Sequence, residues 1–209
     1  MSRKDHIKPL TVGFLTPFYD SVIKIFAFEK FYQKIASQIP SDKAINILDI
    51  GTGTANLAIA IKKRSPNAKI LGIDPDEKIL KIAKEKIQKE QLDIKLVKAY
   101  AQKLPLKSQS FEYVVSSFAV HHIPSDLKGQ AFLEMYRVLR SGGTILIIDI
   151  GEPKNLWAKI TGTVFSLIES VGPNLRGFIP KALKEVGFRD VKEIESKLGL
   201  ISFYKARKT

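Results

Sequence analysis

An apolar run, Ile45 to Ile50, stops at Gly51-Thr52-Gly53, and a helical pattern follows from Thr54 to Arg64 before Ser65-Pro66-Asn67. A strand that feeds a helix through glycines is a narrow prescription. The run reads as a short strand buried on both faces. Glycine allows the backbone to turn tightly and to approach a ligand closely, and the first N–H groups of the following helix are left without intrahelical partners. The turn is therefore the first place to look for a binding site.

The same rhythm continues. Lys69 to Asp74 reads as a second strand, and Asp76 can cap a helix with Ile79, Ile82, Ala83 and Ile87 on one face. Ile94 to Lys98 and Tyr113 to Ser117 read as further strands. Leu127 to Leu139 is an amphipathic helix ending at Ser141-Gly142-Gly143, before the strand Thr144 to Asp149. Phe188 to Ile194 and Leu200 to Ala206 read as a closing antiparallel pair. Alternating strands and helices predict an α/β fold with a parallel sheet covered on both faces.

The chemistry around the turn selects among ligands. A dinucleotide fingerprint requires a third glycine three residues after Gly53, where Asn56 stands. It also seats a diphosphate at the helix start, next to which Asp49 would be an unfavourable charge. A carboxylate there suits a cationic ligand, such as S-adenosyl-L-methionine with its ammonium and sulfonium. Asp74, 21 residues after Gly53, can accept hydrogen bonds from ribose hydroxyls.

With these residues in place, the chain resembles the class I S-adenosyl-L-methionine-dependent methyltransferases. The resemblance is carried by LDIGTGTA (48–55), GIDPD (72–76), AYAQKLPL (99–106), FEYVVSSFAVHHI (111–123) and LRSGGTILIID (139–149). It implies a Rossmann-like three-layer sandwich of about seven strands, mostly parallel, with the last strand antiparallel. It also implies S-adenosyl-L-methionine as cofactor and S-adenosyl-L-homocysteine as product. By position, Gly51, Thr52 and Gly53 would pack under the methionine portion, with Asp49 near its amino group. Asp74 would bind the ribose, Pro75 would lie against the adenine, and the Ala101 N–H, beside Gln102, would meet the adenine ring. Phe118 would line the site. Relatives often carry Asp where Tyr100 stands, and Ala55 takes the place of the third glycine.

Methyl transfer from a sulfonium is an in-line displacement, so alignment contributes much of the rate. A carbon or hydroxyl acceptor also requires a base. His121 and His122 are the candidates at the sheet edge, joined by Tyr19 if the N-terminal segment folds over the site. A structural role for the two histidines competes with this reading. No metal site is expected, since the chain has no Cys and only three His.

Residues 14 to 32 hold seven of the nineteen aromatics. Residues 1–40 read as an N-terminal helical lid, although simple packing on the sheet is an alternative. Residues 41–209 read as the methyltransferase domain, with 153–180 as a cap insertion. The chain also resembles the ubiquinone- and menaquinone-biosynthesis C-methyltransferases in Pro17-Phe18-Tyr19-Asp20 and in its central motifs. That resemblance implies a small, apolar acceptor, quinone- or lipid-like, enclosed by the lid and the cap.

Lys and Arg outnumber Asp and Glu by 34 to 21, a formal net charge of +13. The basic residues are interleaved with acids, as on a solvated exterior. Peripheral contact with an anionic membrane is a further expectation. No nucleic-acid module is visible, yet an RNA methyltransferase and a non-catalytic binding module stay open as alternatives. Met1 to Leu10 is polar and charged, so a cytoplasmic location is expected. Oligomeric state is not readable.

Overall fold

The computed structural model describes residues 28–166 and 171–209. Seven strands form one sheet: β1 (Asn46–Ile50), β2 (Lys69–Asp74), β3 (Ile94–Lys98), β4 (Phe111–Ser117), β5 (Leu139–Ile150), β6 (Arg189–Lys197) and β7 (Ile201–Arg207), in the order β3-β2-β1-β4-β5-β7-β6. β1 to β5 run parallel, and β7 runs antiparallel to both β5 and β6. The expected Rossmann-like sandwich with a reversed last strand is the fold observed.

Among the described residues the helices are α1 (Phe28–Ala36), α2 (Asn56–Arg64), α3 (Glu77–Lys89), α4 (Lys128–Val138), α5 (Leu156–Ser166), α6 (Gly172–Leu175) and α7 (Phe178–Glu185), with a 3-10 turn at Val120–His122. Successive strand residues point to opposite faces, so Leu48, Ile145 and Ile147 join a core with Phe132, Met135 and Leu183 from α4 and α7. Their neighbours Ile47, Leu146 and Ile148 join a second core with Ile35, Leu57, Ile61 and Ala83 from α1, α2 and α3. Both faces of the central strands are apolar, and both are covered.

Local signals set most element ends. Asp76 accepts from the Lys78 and Ile79 N–H groups and caps α3, a contribution of about 1 kcal/mol. One boundary departs from expectation. β5 begins at Leu139, before the glycine pair that reads as a turn, because Leu139 pairs with Phe111 of β4. Beyond β7, Lys208 exchanges backbone hydrogen bonds with Gly142 and Gly143. Pairing on both sides draws Ser141-Gly142-Gly143 into the strand.

After β1 the chain winds outward through β2 and β3, then returns to β4 on the other side of β1. The two connections diverge above the C-terminal ends of β1 and β4. A crevice at such a reversal is where ligands bind in open α/β sheets.

Candidate active site

That crevice is a cavity lined by Ile50 to Thr54, Ile73 to Pro75, Ala99 to Gln102 and Ser116 to Ala119. Tyr32, Asn56, Leu57, Ile79, His122, Ile123 and Pro124 complete its wall. Of the cofactor residues expected from the sequence, Gly51, Thr52, Gly53, Asp74, Pro75, Ala101, Gln102 and Phe118 all face it. Asp49 does not; it lies wholly buried beneath the turn.

The turn alternates in hand. Gly51, Gly53 and Ala55 have φ of 67°, 54° and 65°, so Ala55 occupies a left-handed position that explains why glycine is usual there. A Cβ added at Gly51 would overlap the Cβ of Ala119, whereas one at Gly53 meets nothing within 4 Å. The turn is pinned to β2. The Thr52 N–H donates to the Ile73 carbonyl at 2.8 Å, and the Gly53 N–H donates to Asp74 Oδ2 at 3.0 Å. Asp74 Oδ1 accepts from the Asp76 N–H at 2.9 Å. Across the crevice, Ser116 Oγ donates to the Ile50 carbonyl at 2.9 Å and ties β4 to the last residue of β1.

Two fully buried aspartates behave in opposite ways. Asp49 Oδ2 accepts from the Thr52 hydroxyl at 2.7 Å, while Oδ1 has no hydrogen-bond partner among the described residues. Burial pushes its carboxyl from 3.8 up to about 7, with the Asp74 charge adding to the rise and the Thr52 hydroxyl opposing it. Asp149, at the end of β5, is equally buried, and burial alone would raise it too. The adjoining His121 ring and a set of donors hold it below the ordinary value instead. Its Oδ2 accepts from the Val120 and His121 N–H groups at 2.9 and 3.3 Å. Its Oδ1 accepts from His121 Nδ1 at 2.7 Å, the Ile150 N–H at 2.7 Å and Asn174 Nδ2 at 3.3 Å. The difference lies in the neighbouring charge, His121 beside Asp149 against Asp74 beside Asp49, and in the number of donors.

The candidate catalytic histidines separate. His121 is buried and donates to Asp149, whereas His122 lines the cavity, its ring centroid 4.0 Å from that of His121. Tyr19 lies outside the described residues, as do all but residues 28–40 of the expected lid. Within that remnant, α1 brings Tyr32 to the cavity and packs Phe31 against Phe118 with ring centroids 6.4 Å apart. Among the described residues no His, Asp and Glu cluster could hold a metal. No helix among them is long and apolar enough to cross a membrane.

Lys128, at the start of α4, is completely buried and donates to Asn174 Oδ1 at 3.2 Å. Burial pulls its ammonium down to about 8, with Asp149 opposing the shift. Asn174 thus links Lys128 to Asp149 and fastens the 153–180 segment to the loop that walls the cavity. Asp149, at the end of an apolar strand, was a findable signal. A lysine at a helix start reads as solvated, so Lys128 was not.

Residues 47–143 match a family model described as a methyltransferase domain. A demethylmenaquinone methyltransferase of Listeria welshimeri is 29% identical over 178 residues, covering 82% of this chain and 73% of that one. One from Staphylococcus aureus is 32% identical over 139 residues, 65% of this chain and 56% of that one. Among solved structures, a SAM-dependent methyltransferase from Aquifex aeolicus superposes with a TM-score of 0.71 at 18% identity, covering 94% of this chain and 100% of that one.

Proposed function

Since the chain is a class I S-adenosyl-L-methionine-dependent methyltransferase related to the menaquinone methyltransferases, we propose that its acceptor is a small apolar molecule of quinone-like chemistry. The observation that carries this is the span of the likeness. The 178 residues aligned with the Listeria enzyme exceed the 47–143 match, so the similarity reaches beyond the cofactor-binding core. A cavity walled by Tyr32, Phe118 and Ile123 is in keeping with an apolar guest.

The residues present fit the cofactor. An unpartnered carboxylate oxygen beneath the turn calls for a positive charge above it. In this reading Gly51, Thr52 and Gly53 seat the methionine portion, and Asp49 acts on its ammonium from below through the turn. In the same reading Asp74, which already holds the Gly53 and Asp76 N–H groups at the rim of the cavity, takes the ribose hydroxyls. Pro75, Ala101 and Gln102 take the adenine, and Phe118 closes the wall. The bound cofactor supplies a methyl group already activated on a sulfonium.

The remaining chemistry belongs to the chain. A ring carbon that gains a methyl group must lose a proton, and His122 is the cavity imidazole placed to accept it. Asp149 fixes the His121 ring, and His121 in turn packs against His122 with the rings tilted by 45°, so the base is held by two buried groups. Tyr19 is kept as a second candidate on sequence grounds.

The test is a labelled-methyl assay with a prenylated naphthoquinol in micelles, set against water-soluble phenols and amines. Label is expected in the lipid-extractable product, and label only in water-soluble products would remove the apolar acceptor. His122→Gln should lower turnover by about 100-fold or more with cofactor affinity unchanged. Undiminished turnover would remove His122 as the base.

A further inference from the structure

α5 is built inside out. Its small residues, Ala158 and Gly162, face the protein, Gly162 so closely that an added Cβ would lie 3.0 Å from Leu175 Cδ2 and 3.2 Å from Leu200 Cδ1. Three of its large residues face outward: Leu156 is 71% exposed, Trp157 78% and Ile160 49%. Beside them stands Leu198, 81% exposed at the β6–β7 turn. The turn and the helix are joined there, because the Lys154 N–H donates to the Gly199 carbonyl at 2.8 Å. Isolated exposed apolar residues are ordinary, but four together on one face mark an interaction surface.

The charges around this surface say what covers it. Leu156–Ser166 contains no acidic residue and Lys159 projects exposed from the same helix; the flanking Lys154 and Lys197 are each paired with a glutamate, Glu193 at 2.8 Å and Glu195 at 2.6 Å. The chain as a whole carries +13. An apolar stripe bearing a tryptophan beside the exposed Lys159, on a chain of net charge +13, matches the interfacial layer of an anionic bilayer, where indole rings settle at headgroup level and ammonium groups meet lipid phosphates. α5 also follows the C-terminal end of β5, the edge of the sheet that carries the cavity.

We infer that Leu156, Trp157, Ile160 and Leu198 form a docking patch that seats the enzyme on an anionic lipid surface, with its cavity edge toward the membrane. The patch rests on exposure and charge, and not on the identity of the acceptor.

Trp157 is the single tryptophan of the chain, so intrinsic fluorescence of the full-length protein reads this site. Vesicles of phosphatidylglycerol and phosphatidylcholine should move its emission to shorter wavelength, brominated acyl chains should quench it, and added salt or pure phosphatidylcholine should weaken the effect. The double variant Leu156→Ser, Ile160→Ser, which keeps the probe, should bind anionic vesicles about tenfold or more weakly. Emission indifferent to anionic vesicles overturns the inference, as does equal vesicle binding by the double variant. A blue shift that follows protein concentration without lipid assigns the face to a second copy and overturns it too. Docking without methylation of any apolar acceptor upholds this patch while removing the acceptor proposed above.

Discussion

Gly53 and Asp74, 21 residues apart, meet through a single hydrogen bond of 3.0 Å from the glycine N–H to the carboxylate. The bond makes Asp74 a brace for the turn, in addition to the ribose contact proposed for it. Asp74→Ala should therefore weaken S-adenosyl-L-methionine binding by about 1–3 kcal/mol and also lower the melting temperature of the ligand-free protein. Calorimetry and thermal unfolding measure the two effects separately. Unchanged affinity in a folded variant takes Asp74 out of the site.

The two glycines of the turn should respond differently to the same substitution. Gly51→Ala drives its Cβ into Ala119 at a φ of 67° and is expected to cost about 2–4 kcal/mol of stability. Gly53→Ala meets open space and should cost about 1 kcal/mol through its backbone conformation alone. Denaturant unfolding ranks them, and equal losses would show that strain rather than overlap governs the turn.

Asp49 makes stability depend on pH. In the folded chain its carboxyl is raised from 3.8 to about 7, so between these values the native state holds a proton that the unfolded state has released. Its contribution is complete below the lower value and is lost as pH rises through the upper one. Asp49→Asn cannot lose that proton. The stability of the variant relative to the parent should climb with pH across this window, with a slope approaching about 1.4 kcal/mol per unit. A cationic ligand over the turn favours the ionised form, so cofactor binding near pH 6 should release protons, seen as a binding heat that varies with buffer. A pH-independent stability difference would remove the shift.

Asp149→Asn should disturb the loop more than its size suggests. An amide nitrogen would face some of the donors that now converge on the carboxylate, and Lys128 would lose a nearby counter-charge in a buried setting. A loss of about 3 kcal/mol or more is expected. Turnover should fall further than cofactor affinity, because the His121 ring that supports His122 comes loose. Chemical unfolding with steady-state kinetics checks both, and unaltered turnover at reduced stability would confine Asp149 to a structural part.

The lining of the cavity was largely legible in the sequence. Glycine at 51 and 53, acid at 49 and 74, and their spacing are local facts with local causes, and the structure gathers all but Asp49 around one cavity. Even the departure at Ala55 was visible, and its φ of 65° shows what the substitution of glycine costs. Other parts depended on contacts distant in sequence. The early start of β5 follows from pairing with Phe111 and Lys208, which no reading of Ser141-Gly142-Gly143 contains. Adjacent histidines carry no mark of which one faces the cavity. Lys128 lies at the first position of α4, where lysine ordinarily meets water, and only the packing of Asn174 and Phe178 over it reveals its burial.

The outer strands of the sheet are β3 at one side and β6 at the other. Lys95 and Lys98 stud the first, and Arg189, Lys192, Glu193, Glu195 and Lys197 stud the second. Charged borders of this kind resist continuation of the hydrogen-bonded ribbon by a neighbouring molecule. Any higher-order assembly of this chain is accordingly steered toward contacts made by its helices and loops, and the two rims act as built-in guards against fibrous stacking.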